Sequence, residues 1–529
     1  MYKLMMKENA MVSTKKQIQR TVTVSSFARI KTANFVVTFM AVQMFALGLA
    51  SLTSAQVEER LRITEQERQR QFEAKTTTQA ADDYLKIPDR NYTGFDTGGW
   101  YTINYFAFQD TDNDRTSPDA LKGLILQDFR TWFNVLFKND INLYVRFKKL
   151  RFDFQKEDGV VLPDTNLLEE VDLDLGFVSI PYKKTRLQLG RQFLQSGRGL
   201  VFSGVLDAAS LNWQHAGLSL DTFYGSTPRK THNIDRSIPG FDLGNNDRLF
   251  FNFQAAYQLP SNHRFYSFYT TQRDHSTSTV FDPNVTNFHY DSEYIGVGAS
   301  GPISKRSVYY AESIWQSGEV LSSSTLGGTA PTPQTRDEVD AYSLRTGVNY
   351  FVPDDKRTVL SAEFAMGSGD ADRADVITTL AGNAPGTKDK NFMYFGFYDG
   401  GLALSPRLSN MKVWRLGYSF KPFKRGTQVA ETQIASIISF YRKDIPGSFG
   451  NIPSAISDPQ SNLVGTDVGT GLDVFASSKI FSDLTAVARY GMFLPGSTFT
   501  KVFRSPTGAI LGDGDDKTTQ VSLTLTASF

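Results

Sequence analysis

The chain has 529 residues, a formal net charge of +1, 41 Phe, 22 Tyr and 41 Gly, and no Cys. The missing cysteine excludes disulfides, thiolate metal sites and cysteine nucleophiles, and the near-neutral charge gives no reason to expect a nucleic-acid partner. The length would allow several soluble domains, but the apolar residues come in short runs rather than helical blocks, which favours one large β-rich unit.

Residues 1–55 carry seven Lys or Arg against one Glu, and this basic stretch runs into an apolar core at 35–52 that ends on Thr53, Ser54 and Ala55. Basic, apolar and small in that order predicts a secretory signal peptide cut after Ala55, with Met11 as an alternative start. A retained inner-membrane anchor is the competing reading. Removing the segment would take the formal charge to −5. Residues 56–97 form a separate stretch: 56–75 is highly charged, with Glu58/Arg62 and Glu67/Gln71 at helical spacing, and reads as a short exposed periplasmic helix joined by a linker to the rest of the chain.

From 98 to 529 the pattern changes to alternation. Eighteen segments have strand character, starting near Trp100, Leu124, Ile141, Glu170, Thr185, Ala208, Gly217, Leu249, Arg264, Tyr290, Ser307, Val339, Thr358, Lys412, Thr432, Gly471, Leu484 and Thr518. Short turns follow the even ones, at 138–140, 181–184, 215–216, 260–263, 301–306, 353–357, 421–431 and 481–483. Longer loops follow the odd ones, among them 110–123, 155–166, 226–247, 274–288, 316–338, 367–410, 444–466 and 496–516. This asymmetry predicts the fold class: an all-β, transmembrane, antiparallel up-and-down β-barrel of about 18 strands in a bacterial outer membrane, with short turns and both termini on the periplasmic side. Closure lets every backbone group find a partner inside lipid. Residues 391–398 are open to two readings, a loop strand or half of an extra hairpin.

Within the strands, Phe129, Thr131, Phe133, Val135 and Phe137 share one face, expected to meet lipid, while Asp128, Arg130 and Asn134 share the other. Likewise Trp414, Leu416, Tyr418 and Phe420 should point out and Arg415 in. Trp100, Trp213, Tyr257, Trp315 and Tyr350 lie near strand ends, where interfacial aromatic girdles are expected. Residues 519–529 alternate Val521, Leu523, Leu525, Ala527 and Phe529 with polar residues, and should close the barrel against 100–108 and present a C-terminal strand to the barrel-assembly machinery.

Most apparent chemical motifs fail on physical grounds. Gly296, Gly298 and Gly301 form a GxGxxG that follows an alternating strand and runs into Pro302 without opening a helix, so they read as relief of crowding in the barrel or as a turn. Asp110, Asp112 and Asp114 imitate a calcium loop, but Arg115 and Leu121 replace its Gly and its bidentate Glu. Asp370, Asp372 and Asp375, and Asp513, Asp515 and Asp516, are solvated loop carboxylates or surface Ca²⁺ ligands; no other cofactor is expected. The five His, at 215, 232, 263, 275 and 289, belong to no HExxH, and no GxSxG occurs, so no enzymatic activity is expected.

The inward charges are more informative. Arg146 and Lys148 should face Glu170, Asp172 and Asp174 of the neighbouring strand across the lumen wall, with Val171, Leu173 and Leu175 toward lipid. Asp128, Arg130, Arg186, Asp207, Asp221, Arg345, Glu363, Arg415 and Arg489 should also point inward. Such charges either select charged or highly hydroxylated solutes or simply stiffen the wall as cross-strand ion pairs.

The stretch 185–225, with Leu187, Leu189, Gly190, Arg191 and Gln192 ahead of a Gly/Arg-rich loop and Asp207, resembles the alginate-export family of outer-membrane barrels. The resemblance implies a monomeric 18-stranded porin and an arginine-bearing pore for an anionic polysaccharide, with Arg191 a candidate contact. Simple alternation places Arg191 with Leu187 and Leu189 on the lipid side, so either a bulge at Gly190 turns it inward or it snorkels to an interface. Together these features predict a passive, monomeric channel for small hydrophilic, carbohydrate-like or anionic solutes, set in outer-membrane lipid and lipopolysaccharide. Loop 367–410 is the constriction candidate, and Phe392, Tyr394, Phe395 and Tyr398 offer either a sugar-stacking surface or packing against the wall. The alternatives are a polysaccharide secretion pore and a non-conducting surface barrel with adhesive or receptor loops.

Overall fold

The computed structural model describes residues 94–109, 122–155, 166–168, 170–228, 247–275, 289–323, 333–373, 376, 379, 382–424, 426–427, 429–447, 465–499, 502–504, 510–513 and 517–529. The expected signal peptide and periplasmic helix lie outside these residues, as do Asp110, Asp112, Asp114, Asp375, Asp515 and Asp516.

The strands are β1 (Gly94–Gln109), β2 (Gly123–Leu136), β3 (Asn142–Gln155), β4 (Asn166–Leu168), β5 (Asp172–Tyr182), β6 (Thr185–Gln195), β7 (Ser203–His215), β8 (Leu218–Ser226), β9 (Arg248–Gln258), β10 (Arg264–Asp274), β11 (Tyr290–Ser304), β12 (Ser307–Leu321), β13 (Arg336–Phe351), β14 (Val359–Gly367), β15 (Met411–Phe420), β16 (Gln433–Arg442), β17 (Asp467–Lys479), β18 (Leu484–Pro495), β19 (Val502–Arg504), β20 (Ile510–Asp513) and β21 (Thr518–Ser528). The short β4 pairs with β3 above β5, and β19 with β20 forms a separate hairpin. The other eighteen pair antiparallel with their neighbours in sequence and close through β1 and β21.

Closure runs from Trp100↔Ser528 to Gln109↔Thr519. It is completed by reciprocal backbone bonds between Gly99 and Phe529, 2.9 and 3.0 Å. No strand of the barrel is therefore left as a lipid-exposed edge. Both chain ends of the barrel lie with the short turns, as the even strand number requires. Residues 391–398 form no barrel strand; their one isolated bridge, Phe202↔Phe395, is parallel and joins two loops.

Burial is inverted relative to a soluble sheet protein. The outward faces expose large apolar side chains all round, including Ile103, Phe129, Phe253, Ile295, Trp414, Leu416, Phe440, Val474, Leu523 and Leu525. A continuous apolar surface of this kind on one chain marks a lipid-facing band. The inward faces bury charged residues: Asp128, Arg130, Arg146, Asp174, Glu312, Arg345, Glu363, Arg415 and Asp473 are all largely enclosed.

Three details differ from strict alternation. At β5 the register slips between Arg146↔Leu175 and Phe147↔Leu173, a bulge that places both Asp174 and Leu175 on the inner side. Leu175 is thus fully buried instead of meeting lipid, and Glu170 precedes the strand, exposed at its loop end. Trp100 is not a girdle residue: its ring lies inside, with the guanidinium carbons of Arg146 and Arg130 at 5.3 and 5.9 Å from its centre. Tyr257, Trp315 and Tyr350 are outward and exposed, as girdle residues would be.

The GxGxxG glycines serve packing. A Cβ at Gly296 or Gly298 would lie 2.1 Å from the ring of Phe268 or Tyr266, so these inward positions of β11 are open only to glycine.

Candidate functional site in the barrel lumen

The lumen wall carries two charge networks. On β2, β3 and β5, Asp174 Oδ2 accepts from Arg130 Nη1 at 2.8 Å and from Arg146 Nε at 2.5 Å, and Arg130 also holds Asp128 at 2.9 Å. Lys148 stands 3.7 Å from Asp172 and is more accessible. Asp174 keeps the inward side expected of it, and at the bulge its one carboxylate reaches guanidinium groups on two strands.

The second network spans β10 to β15. Glu363 accepts from Arg345 Nη2 at 2.7 Å and Nε at 3.0 Å, from Arg415 Nη1 at 3.4 Å, from the Tyr398 hydroxyl at 3.3 Å and from the Tyr310 hydroxyl. Glu312 accepts from the Tyr266 hydroxyl at 2.7 Å and the Arg198 amide at 2.8 Å, and Arg198 stacks 4.0 Å from the centre of the Tyr310 ring. Register explains the neighbourhood: Glu312 pairs with Arg345, and Glu363 with Arg415. Asp174 and Glu363 are each met by two guanidinium groups, as buried charges require. Glu312 is held by hydrogen bonds alone, and among the described residues Glu312 Oε1 and Arg146 Nη1 and Nη2 have no hydrogen-bond partner.

A long loop fills one side of the lumen. Between β14 and β15, Phe392, Met393, Tyr394, Phe395, Tyr398, Leu404 and Leu408 pack into one apolar cluster with Leu200, Val201 and Phe202 of the β6–β7 loop and with Phe223, Phe250, Tyr290 and Tyr294 of the wall. The two loops are joined by backbone bonds from Phe395, Gly396 and Phe397 to Val201, Leu200 and Gly199, at 2.8 to 3.0 Å. The wall holds the loop through Tyr294 to the Met393 carbonyl at 2.8 Å, Tyr441 to the Gly400 carbonyl at 2.7 Å, and the Leu402 amide to Asp473 at 3.1 Å. Phe392, Tyr394, Phe395 and Tyr398 are almost wholly buried, so they pack the loop onto the wall and leave no face for a sugar to stack on. At the loop's outer end burial pushes the Asp389 carboxyl up against the pull of its Arg373 partner, and burial with the Asp370 contact raises Asp372 to about 6. Among the described residues no group of three or more His, Cys, Asp or Glu could hold a metal ion.

Of the residues expected to face the lumen, the structure brings together Asp128, Arg130, Arg146 and Asp174, pairs Lys148 with Asp172, and gathers Arg345, Glu363 and Arg415. Arg489 lies inward, 4.0 Å from Asp399 of the loop and 4.8 Å from the Phe475 ring. Asp221 is inward and accepts from Asn212, and Arg186 shares the inner face of β6 near its turn. Arg191 and Asp207 do not face the lumen. The β6–β7 register is unbroken from Thr185 to Gln195, so the pair shares a face with exposed Leu189 and Leu211. Gly190 has φ +124 but adds no bulge. The outward ion pair is bidentate, 2.8 and 3.1 Å, and Arg191 Nη1 also reaches the Leu173 carbonyl at 2.8 Å. Sequence reasoning missed Glu312 and Asp473, which alternation of their strands would have turned inward, and Arg198, which no local pattern marks.

A family model described as alginate export matches residues 98–506. The chain belongs to the alginate export family. It is accordingly a bacterial outer-membrane β-barrel of the porin type, and the match covers the barrel through β18. No curated protein matches the chain. Its fold is similar to solved Pseudomonas aeruginosa structures: OccK11 (OpdR), 12% identical, covering 82% of this chain and 96% of that chain with a TM-score of 0.46, and the outer membrane protein OpdK, 11% identical, covering 82% and 99% with a TM-score of 0.46. OccK5 (OpdH) is similar at 11% identity, 82% and 98% coverage and a TM-score of 0.45. Values this low carry no functional argument.

Proposed function

We propose that this alginate-export family member is a passive, monomeric outer-membrane channel for small, uncharged, carbohydrate-like solutes, acting by permeation rather than by catalysis. The observation that carries the reading is charge compensation. Arg130, Arg146, Lys148, Arg345, Arg415 and Arg489 each stand within 4.0 Å of a carboxylate. Arg186, near the β5–β6 turn, is on the inner face without such a partner among the described residues. With those other bases paired the wall offers an acidic polymer no continuous positive track, whereas fixed hydrogen-bonding groups still suit hydroxyls. Asn104, Gln188, Ser210, Asn212, Thr485 and Thr524 fit that role: they lie on inner faces, are only partly buried and carry no charge. The loop between β14 and β15 narrows the lumen and sets the size limit.

Liposome swelling tests the reading. Vesicles containing the folded barrel should swell in isotonic arabinose or glucose faster than protein-free vesicles, and more slowly as the sugar lengthens. Absence of swelling with every sugar would favour a non-conducting surface barrel. Swelling confined to uronate salts would favour the acidic-polymer reading.

A further inference from the structure

The short-turn rim carries a repeated couple that permeation does not use. Phe137–Lys138, Tyr182–Lys183 and Phe423–Lys424 each put an exposed aromatic beside an exposed lysine at the end of a hairpin. The Lys183 ammonium lies 5.3 Å from the centre of the Tyr182 ring, and Lys356 lies 5.9 Å from that of Phe420. Phe137, Tyr182 and Phe420 belong to the outer surface, not the pore mouth: Phe420 ends the outward row of Trp414, Leu416 and Tyr418, Phe137 ends that of Phe129 and Phe133, and Tyr182 lies on the face of β5 opposite buried Phe177 and Ser179. Lys184, exposed at the β5–β6 turn, has its ammonium against the ring nitrogens of His215.

We propose that this collar binds the phosphates of anionic phospholipid headgroups in the periplasmic leaflet. The rings sit at the height where apolar surface gives way to turns, and the lysines lie just beyond them, with their stems along the rings and their ammonium groups in the headgroup layer. The rim's exposed acids Asp96, Asp140, Asp355 and Asp483 are outnumbered by its exposed bases, Lys138, Lys183, Lys184, Lys305, Arg306, Lys356 and Lys424. Glu431 is engaged by Lys421 and Arg357, and Asp354 caps the Thr358 amide at 3.0 Å. Occupancy by headgroup phosphates would fix the depth of the barrel on its periplasmic side, whatever solute the lumen passes.

The test is native mass spectrometry of the full barrel released from nanodiscs of phosphatidylglycerol and phosphatidylcholine with matched acyl chains. The wild type should retain the anionic lipid over the zwitterionic one about fivefold or more, the effect of a single surface lysine near an anionic membrane. High salt should abolish this preference. The combined variant K138Q/K183Q/K184Q/K356Q/K424Q, shown to be folded by its unheated electrophoretic mobility, should retain the two lipids equally. Equal retention by the wild type, or an undiminished preference in the folded variant, would overturn the proposal. Should the variant not fold, the wild type decides alone: a preference that survives high salt would also overturn it.

Discussion

Replacing Glu363 by Gln removes one negative charge without changing side-chain size, at a point where five donors converge. Arg345 gives two N–H groups, Arg415 one, and Tyr310 and Tyr398 their hydroxyls, around a side chain that is 3% exposed. A Gln offers one carbonyl oxygen, and its amide nitrogen must face donors whichever way it turns. Two or three donors then lose an acceptor, at roughly 1–3 kcal/mol each. Removing one partner of a buried ion pair costs about 3–5 kcal/mol, and E363Q should therefore lower barrel stability by about that amount. Denaturant unfolding of the purified barrel in vesicles measures it. The lumen also gains a net positive charge, so the reversal potential in a KCl gradient should move toward anion selectivity. A cycle with R345Q isolates the pair, and the double variant should recover part of the loss. A loss below about 1 kcal/mol, the scale of an exposed ion pair, together with an unchanged reversal potential, would refute the reasoning.

Other parts of the barrel give three further expected outcomes. Hydrogen bonds from Lys421, then Arg357, hold the Glu431 carboxyl at about 2, below its ordinary 4.5. A depressed carboxyl stabilises above its unfolded value and loses that contribution as pH falls, so the thermal-midpoint gap between wild type and E431Q should be full above pH 4.5 and close by pH 2. Because Glu431 is half exposed, the gap should correspond to no more than about 1 kcal/mol; a pH-independent gap would contradict the assignment. Replacing 391–408 by a short Gly-Ser linker should raise single-channel conductance, and no change would mean that the loop does not narrow the path. The double variant R191M/D207L should leave the reversal potential unchanged and shift stability by no more than about 2 kcal/mol, in either direction; altered selectivity would return Arg191 to the lumen.

The barrel was legible because its signal is global. Alternation in each strand is weak, but eighteen alternating segments separated in turn by short and long connections admit few other folds, and all eighteen occur where alternation placed them. The Phe129 and Trp414 faces were readable for the same reason: a two-residue period states which neighbours share a face. What was lost depends on breaks in that period or on contacts across the lumen. The bulge beside Arg146 reverses Leu175, and no single-strand pattern announces it. The place of Trp100 near a strand end suggests a girdle, whereas its partners Arg130 and Arg146 come from other strands. The aromatic loop residues have no period at all, so only the structure shows that Phe392 and Tyr394 meet the wall. Arg191 is the instructive case, because alternation alone already placed it outside, with Leu189.

The central claim, a hydrophilic path lined by compensated charges, is tested most directly by recording the purified full-length barrel in planar bilayers under a KCl gradient. The account predicts discrete open-channel steps and a reversal potential near that of a weakly selective pore, with neutral sugars reducing the open current. A silent barrel, or a reversal potential close to the limit for one ion, would contradict it.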